Sequence, residues 1–182
     1  DGVLGGILCP RDGSSDHTKT TRAYAAAAKR EGAVIREETH ATGIVYKDDR
    51  ATGVRLASGE MVEASVGVLV LSNWSVSDLL EDRAEIPVWS EALQVLVSKP
   101  LPEVPNRNVL SHTTRTLSLK PEPGNRVMIS GGYRGVYDRQ THKGKAIQSS
   151  IDANVADAIA TVPSLAGIEI DVADAGHLES LC

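Results

Sequence analysis

The sequence contains no phenylalanine, two tryptophans and four tyrosines, so aromatic residues make up 3% of a chain that is 41% hydrophobic. That is unusual for a chain with so much aliphatic material. Cysteine is as scarce. Cys9 and Cys182 lie at opposite ends of the 182 residues, in no CxxC pair and with no histidine at ligand spacing, which argues against zinc and leaves two free thiols. No stretch approaches the roughly 20 apolar residues of a membrane span, and the opening "DGVLGGILCP" has neither the basic flank nor the long apolar run of a secretion signal. A cytoplasmic location is the expectation. The net charge of −5 is spread along the chain rather than collected in a tail, so neither nucleic acid nor an anionic membrane surface is an expected partner. His17, His40, His112, His142 and His177 are too scattered for a metal site or a Ser-His-Asp triad, and no GxSxG elbow accompanies them. Hydrolase chemistry falls away.

What is present begins with "DGSSDHTKTTRAYAAAAKREGA", which reads as a capped helix. Asp16 is the N-cap, Gly32 the C-terminal stop, and Ala23, Tyr24, Ala27 and Ala28 form a narrow apolar face suited to close packing on a sheet. Strand-like runs follow at 33–37, 40–48, 52–59, 60–65 and 66–71, separated by the polar turns "KDDRATG" and "ASGE". Val68, Leu69, Val70 and Leu71 are apolar on every side, the pattern of a parallel strand covered on both faces. After residue 83 the character changes. Leu93, Val95 and Val97 alternate with Gln94, Leu96 and Ser98, and "TTRTLSLKP" and "NRVMISGGYRG" alternate in the same way around the turn "EPGN". These are expected to be neighbouring antiparallel strands with one working face. Ile147, Ile151, Val155, Ala158, Ile159 and Val162 then recur at helical spacing until Pro163, and "GIEIDVADAG" supplies one more strand. The chain opens in mid-strand and stops at "GHLESLC" with no helix stop or polar tail. It reads as an interior piece of a longer polypeptide.

Three short stretches carry candidate chemistry, each with a plainer alternative. In "VLVLSNWSV" (68–76) an aliphatic strand ends in small polar Ser72 and Asn73 and then Trp74; an ordinary strand-to-helix turn with Ser75 as N-cap and Trp74 as a core ring would look the same. "THATGI" (39–44) is on its own simply a strand. "SGGYRG" (130–135) pairs two glycines at the end of an apolar strand, which marks either a bulge or a place where another body lies against the main chain.

Taken in order, "DG", the alanine-rich helix, "EGAVI", "THATGI", "ATGVRLASGE", "VGVLVLSNWS" and "RTLSLKPEPGNRVMISGGYRG" resemble the middle of flavin-dependent amine and amino-acid oxidoreductases of the D-amino-acid oxidase superfamily. That superfamily includes glycine oxidase, the sarcosine oxidases and the flavoprotein subunits of opine and sarcosine dehydrogenases. The resemblance implies an α/β plus α+β fold: residues 1–83 as the central part of an FAD-binding Rossmann-like domain, and 84–182 as a mixed, largely antiparallel substrate-binding sheet with flanking helices. It implies FAD as cofactor, although the GxGxxG that cradles the pyrophosphate in such enzymes occurs nowhere in this sequence. It implies that the main chain of Ala41 reads the adenine edge. Likewise, Ser72, Asn73 and Trp74 would form the turn passing close to the dinucleotide, and Gly131 and Gly132 would lie against the isoalloxazine ring and the substrate beside it.

The implied reaction is oxidation of the C–N bond of an amino acid or N-substituted amino acid, with hydride transfer to flavin N5. The protein's part is then orientation and electrostatics. A substrate carboxylate is best held by a planar arginine. Arg115, Lys120 and Arg134 are the cations near the working face, with Tyr133 and His112 as hydrogen-bonding neighbours; strict alternation puts Arg115 with Leu117 and Leu119, opposite Lys120. Monomeric sarcosine oxidases, which this stretch also resembles, carry a flavin-side lysine in the strand matching "RVMIS", where it assists oxygen. Met128 takes its place here, which points to a dehydrogenase passing electrons to an acceptor partner or another subunit. Two other readings stay open on the residues alone: an α+β binding or assembly module without flavin, and a flavoprotein acting on 2-hydroxy acids.

Overall fold

A computed structural model describes residues 4–70, 76–80, 83, 86–176 and 178–181. The first helix, α1 (His17–Arg30), forms where the sequence signals it. The Asp16 carboxylate accepts the Lys19 N–H at 2.9 Å, satisfying a donor that the helix itself leaves unpaired. At the other end Gly32 sits at φ +93° while its N–H reaches the Lys29 carbonyl and that of Ala33 reaches the Ala28 carbonyl. This double closure needs a left-handed residue, hence glycine. The expected packing of α1 on a sheet is not observed. No residue of the helix is buried, and Tyr24 is 75% exposed. Ala27 and Ala28 of the apolar face are part-buried, and none of its residues is fully covered among the described residues.

Three strands follow, β1 (Ala41–Lys47), β2 (Arg50–Leu56) and β3 (Met61–Glu63), in one antiparallel meander of that order. The β1–β2 turn is made by Asp48 and Asp49, both at positive φ, the geometry whose twist matches that of the flanking strands. A short helix, α2 (Val76–Leu80), contacts β1. Arg83 closes this part by placing its guanidinium 3.9 Å from the Tyr46 ring centre and donating to Asp49 at 3.1 Å.

Two expected strands are absent as strands. Residues 33–36 form no ladder, with Val34 85% exposed, and neither do residues 66–70, with Val66 90% and Leu69 82% exposed. The anticipated burial of a parallel strand at 66–71 is thus corrected for its described residues; Leu71 lies outside them. A strand apolar on both faces needs a neighbour on each edge and cover on each face; among the described residues no strand pairs with it, and only Val68 and Val70 are part-buried.

The second half builds a real core. The elements are β4 (Trp89–Ala92), β5 (Val95–Ser98), β6 (Leu110–Ser111), β7 (Ser118–Glu122), β8 (Arg126–Ser130), β9 (Val136–Asp138), β10 (Lys143–Lys145), α3 (Gln148–Thr161), β11 (Ile170–Asp174) and β12 (Leu178–Leu181). Five of the strands form one antiparallel sheet in the order β11-β5-β8-β7-β6. One face carries Leu96, Leu117, Leu119, Val127 and Ile129, all buried, against Ala158 of α3 and Leu165 in the 3-10 turn that Pro163 begins. Ile151, Val155, Ile159 and Val162 pack around them, so the helical spacing read from the sequence is the packing face. The alternation in β5 resolves unexpectedly, because Gln94, Leu96 and Ser98 are the fully buried set. Ser98 is tolerated there because its Oγ accepts the Val127 N–H at 3.0 Å. Around the sheet, β9 pairs with β10 and β4 with β12, pairings not anticipated from the sequence. Every strand pairing among the described residues is antiparallel, and no described helix is long and apolar enough to cross a membrane. Helices on antiparallel sheets agree with the expected mixed fold class.

Candidate functional site

Where β7 begins and β8 ends, the two strands are brought to α3 by a line of polar side chains. Ser150, Asn154 and Asp157 recur at i, i+4 and i+7, which puts them along one side of the helix. Ser150 Oγ donates to the Arg134 carbonyl at 2.8 Å, and Asn154 Nδ2 lies within 3.4 and 3.3 Å of the carbonyls of Thr116 and Ser130. Asp157 completes the line. Its Oδ2 accepts the Tyr133 hydroxyl at 2.8 Å and its Oδ1 accepts Arg115 Nη1 at 3.1 Å.

Two of the expected site residues, Arg115 and Tyr133, are therefore joined through a carboxylate that the sequence reading passed over. The Asp157 acceptor first, and burial second, hold the Tyr133 phenol above its usual range, so near neutrality it is a hydrogen-bond donor and not a base. Arg115 keeps 41% of its side chain exposed while Asp157 keeps 19%. A guanidinium has five N–H donors in a planar fork, so binding Asp157 through Nη1 leaves the remainder of the fork able to meet an anion from solvent.

The glycine pair sits between these groups. Gly131, at φ +131°, has no room for a side chain, because a Cβ there would lie 2.5 Å from the Leu117 Cα and N. The body against this glycine is the chain's own β7 entry. Gly132 differs: φ is +124°, but a Cβ would meet only Thr116 Cγ2 at 3.5 Å. A side chain could be placed there without a clash.

The remaining candidates are distributed more widely. Lys120 is directly opposite Met128 in the β7–β8 register, on the sheet face away from α3, and is tied to Glu122 at 2.7 Å. Arg134 reaches the other way, its Nε donating to Glu91 of β4 at 2.6 Å. The strand expected over 114–121 begins only at Ser118, so Arg115 lies in the bends before β7 and strand alternation does not set its side; it turns to Asp157 of α3 while Lys120 follows Met128. Ala41 opens β1 next to a register shift between Ala41 and Gly43, and such irregularities take main-chain groups out of regular pairing. Ser72, Asn73 and Trp74 lie outside the described residues. The acidic partners Asp157, Glu91 and Glu122 were not singled out from the sequence. Only the 150/154/157 spacing on α3 offered a signal, as a polar line beside an apolar one.

The cluster of Arg115, Tyr133 and Asp157 offers a cation, a phenol donor and a fixed carboxylate at the rim of a sheet. It is suited to gripping an anionic group and has no nucleophile–base pair of its own. No described group of three His, Cys, Asp or Glu side chains could hold a metal ion. Two broad grooves among the described residues lie elsewhere, one of about 610 Å³ between α3 and β11 and one of about 600 Å³ against the β1–β3 meander.

The family model described as FAD dependent oxidoreductase (DAO) matches residues 1–179. Among curated proteins, the beta subunit of sarcosine oxidase from an Arthrobacter species is 28% identical over 150 residues, covering 81% of this chain and 31% of that protein. Among solved structures, L-proline dehydrogenase from P. horikoshii superposes with a TM-score of 0.79 at 19% identity, over 92% of this chain and 44% of its own. Glycine oxidase from Geobacillus kaustophilus does so with a TM-score of 0.69 at 18% identity, over 87% and 40%. The chain thus spans less than half the length of each of these proteins, and the structural likeness is one of fold.

Proposed function

The chain belongs to the FAD dependent oxidoreductase (DAO) family, and from that premise we propose that it is the central part of a flavoenzyme that oxidises the C–N bond of an amino acid or N-substituted amino acid. The observation that carries this reading is the match of one family model along 1–179, combined with a strand-end cluster in which a half-exposed arginine faces outward. Two features of the chain fit the cofactor. The β1–β2 register shifts just after Ala41, where a flat heteroaromatic edge would be read, and a glycine at 132 keeps the main chain beside Thr116 free of a side chain.

FAD, when bound, supplies the acceptor for the hydride that leaves the carbon bearing the nitrogen. The residues of this chain then bind and orient. Arg115 takes the substrate carboxylate as a planar fork, and Asp157 keeps the guanidinium from folding away. Tyr133 stays protonated and anchored to Asp157, lining the same rim. Lys120 and Met128 line the open sheet face. Met128 offers no charge there and Lys120 is committed to Glu122, which supports a dehydrogenase that hands electrons to a separate acceptor or subunit over an oxidase. The exposed apolar residues of 33–36 and 66–70 support the same picture, since they would be covered only in a longer polypeptide or an assembly.

The test is turnover by the complete purified protein with sarcosine, glycine, proline, D-amino acids and opines, each run with dissolved oxygen and with a dye acceptor. Oxidation of one of these classes, at least tenfold faster with the dye, is the expected outcome. Turnover confined to 2-hydroxy acids would contradict the C–N assignment, and equal rates with oxygen would contradict the dehydrogenase assignment.

A further inference from the structure

Between β6 and β7 the chain turns through residues 112–117, and one imidazole organises the turn. His112 Nδ1 accepts the N–H of Thr114 and the N–H of Arg115, both at 3.2 Å, and lies 3.4 Å from Thr114 Oγ1. The turn is closed further by the His112 N–H on the Leu117 carbonyl at 3.3 Å and by the Leu117 N–H on the Arg115 carbonyl at 2.8 Å. A ring nitrogen that receives two amide protons must carry its lone pair, so the ring proton sits on Nε2. The arrangement is the one an Asn or Asp side chain makes when it accepts amides two and three residues ahead.

Arg115 is consequently held at both ends, its main chain by His112 and its guanidinium by Asp157. A long, half-exposed arginine on a turn would otherwise spread over many rotamers, and the loss of that freedom would weaken any anion it binds. We propose that His112 is a positioning residue: its Nδ1 fixes the 112–117 turn so that Arg115 presents its guanidinium to the carboxylate of an amino-acid substrate. This rests on the reading that the complete protein oxidises an amino acid.

The experiment uses the complete flavin-loaded protein and the variants His112→Ala, His112→Asn and Arg115→Ala. Asparagine places an acceptor oxygen where Nδ1 stands, so it separates loss of the acceptor from loss of the ring. Three quantities are read: amide hydrogen exchange over 112–117, the affinity for acetate compared with acetamide, and the split between KM and kcat for the best amino-acid substrate. His112→Ala is expected to speed exchange in 112–117, weaken acetate about tenfold without weakening acetamide, and act on KM rather than kcat. His112→Asn is expected to restore exchange and acetate affinity to within about threefold of the unaltered protein, and Arg115→Ala to weaken acetate more than His112→Ala. The proposal is overturned if His112→Ala binds acetate as the unaltered protein does, or if His112→Asn is as defective as His112→Ala. It is also overturned if Arg115→Ala leaves acetate binding unchanged. A protein that turns over amino acids normally with alanine at 112 sinks the role of His112 and leaves the amino-acid reading standing, whereas an unaltered protein that turns over no amino acid sinks both.

Discussion

Gly131→Ala is expected to destabilise the complete protein by about 2–6 kcal/mol, the sum of a backbone strain of about 1–3 kcal/mol and an overpacking cost of similar size. The strain arises because alanine at φ +131° occupies a region that side chains avoid, and the overpacking because its Cβ would press to 2.5 Å on the Leu117 main chain. Neither contact atom is the end of a flexible side chain, so relief requires β7 and β8 to separate. That separation would pull on the carbonyls of Thr116 and Ser130, which Asn154 joins to α3. Gly132→Ala is the control. It keeps the unfavourable φ of +124° but meets only Thr116 Cγ2 at 3.5 Å, so about 1–2 kcal/mol is expected. Denaturant unfolding of both variants, with hydrogen exchange over 116–131 to localise the loss, measures the difference. Equal costs for the two glycines would show that close approach of the strands contributes nothing.

Ile129→Ala is expected to cost about 2–5 kcal/mol, as buried aliphatic truncations do when the surroundings cannot collapse into the space. Ile129 is fully buried in the central strand β8, opposite Leu96 of β5 on one side and Leu119 of β7 on the other, beneath α3. In a chain without phenylalanine no large ring is near to swing into the gap, and the backbone ladders on both sides hold the strands apart. The same unfolding measurement reads it, and a loss below about 1 kcal/mol would show a core that yields easily. Because Ile129 is two residues from Gly131, hydrogen exchange at 112–117 and 130–134 is expected to quicken as well.

How much of this was visible in the sequence depends on how local each signal is. Asp16 and Gly32 bound α1 as expected, since a cap acts on amides three residues away or fewer. The apolar recurrence from Ile151 to Val162 likewise marked the buried side of α3. Residues 33–36 and 66–70 show the opposite case. Their aliphatic content signals a buried strand, but a strand exists only with a partner, and none stands beside them among the described residues. The site divides in the same way. Alternation was read through Arg115, but the strand starts only at Ser118 and a turn places the arginine, so the pattern could not say where its side chain goes. Asp157 reads as one more solvated carboxylate on a helix, because what distinguishes it is 42 positions away at Arg115 and 24 away at Tyr133. The glycine pair marked either a bulge or a close approach of another body; at Gly131 the neighbour that leaves no room for a side chain is the chain's own Leu117, whereas a Cβ at Gly132 would meet only Thr116 Cγ2.

The polar line of Ser150, Asn154 and Asp157 gives α3 two tasks. Its apolar side seals the sheet, and its polar side holds the ends of β7 and β8, and with them Arg115 and Tyr133, at fixed positions. Preorganisation of this sort is what a flavoenzyme asks of its protein, because the cofactor carries the electron chemistry. The most direct test is to purify the protein from its complete reading frame and record its visible absorption, then release and weigh the chromophore. Yellow protein carrying FAD close to one per chain, bleached by the amino acid it oxidises, is the predicted result. A folded, complete protein that is colourless and takes up no added FAD would contradict the account.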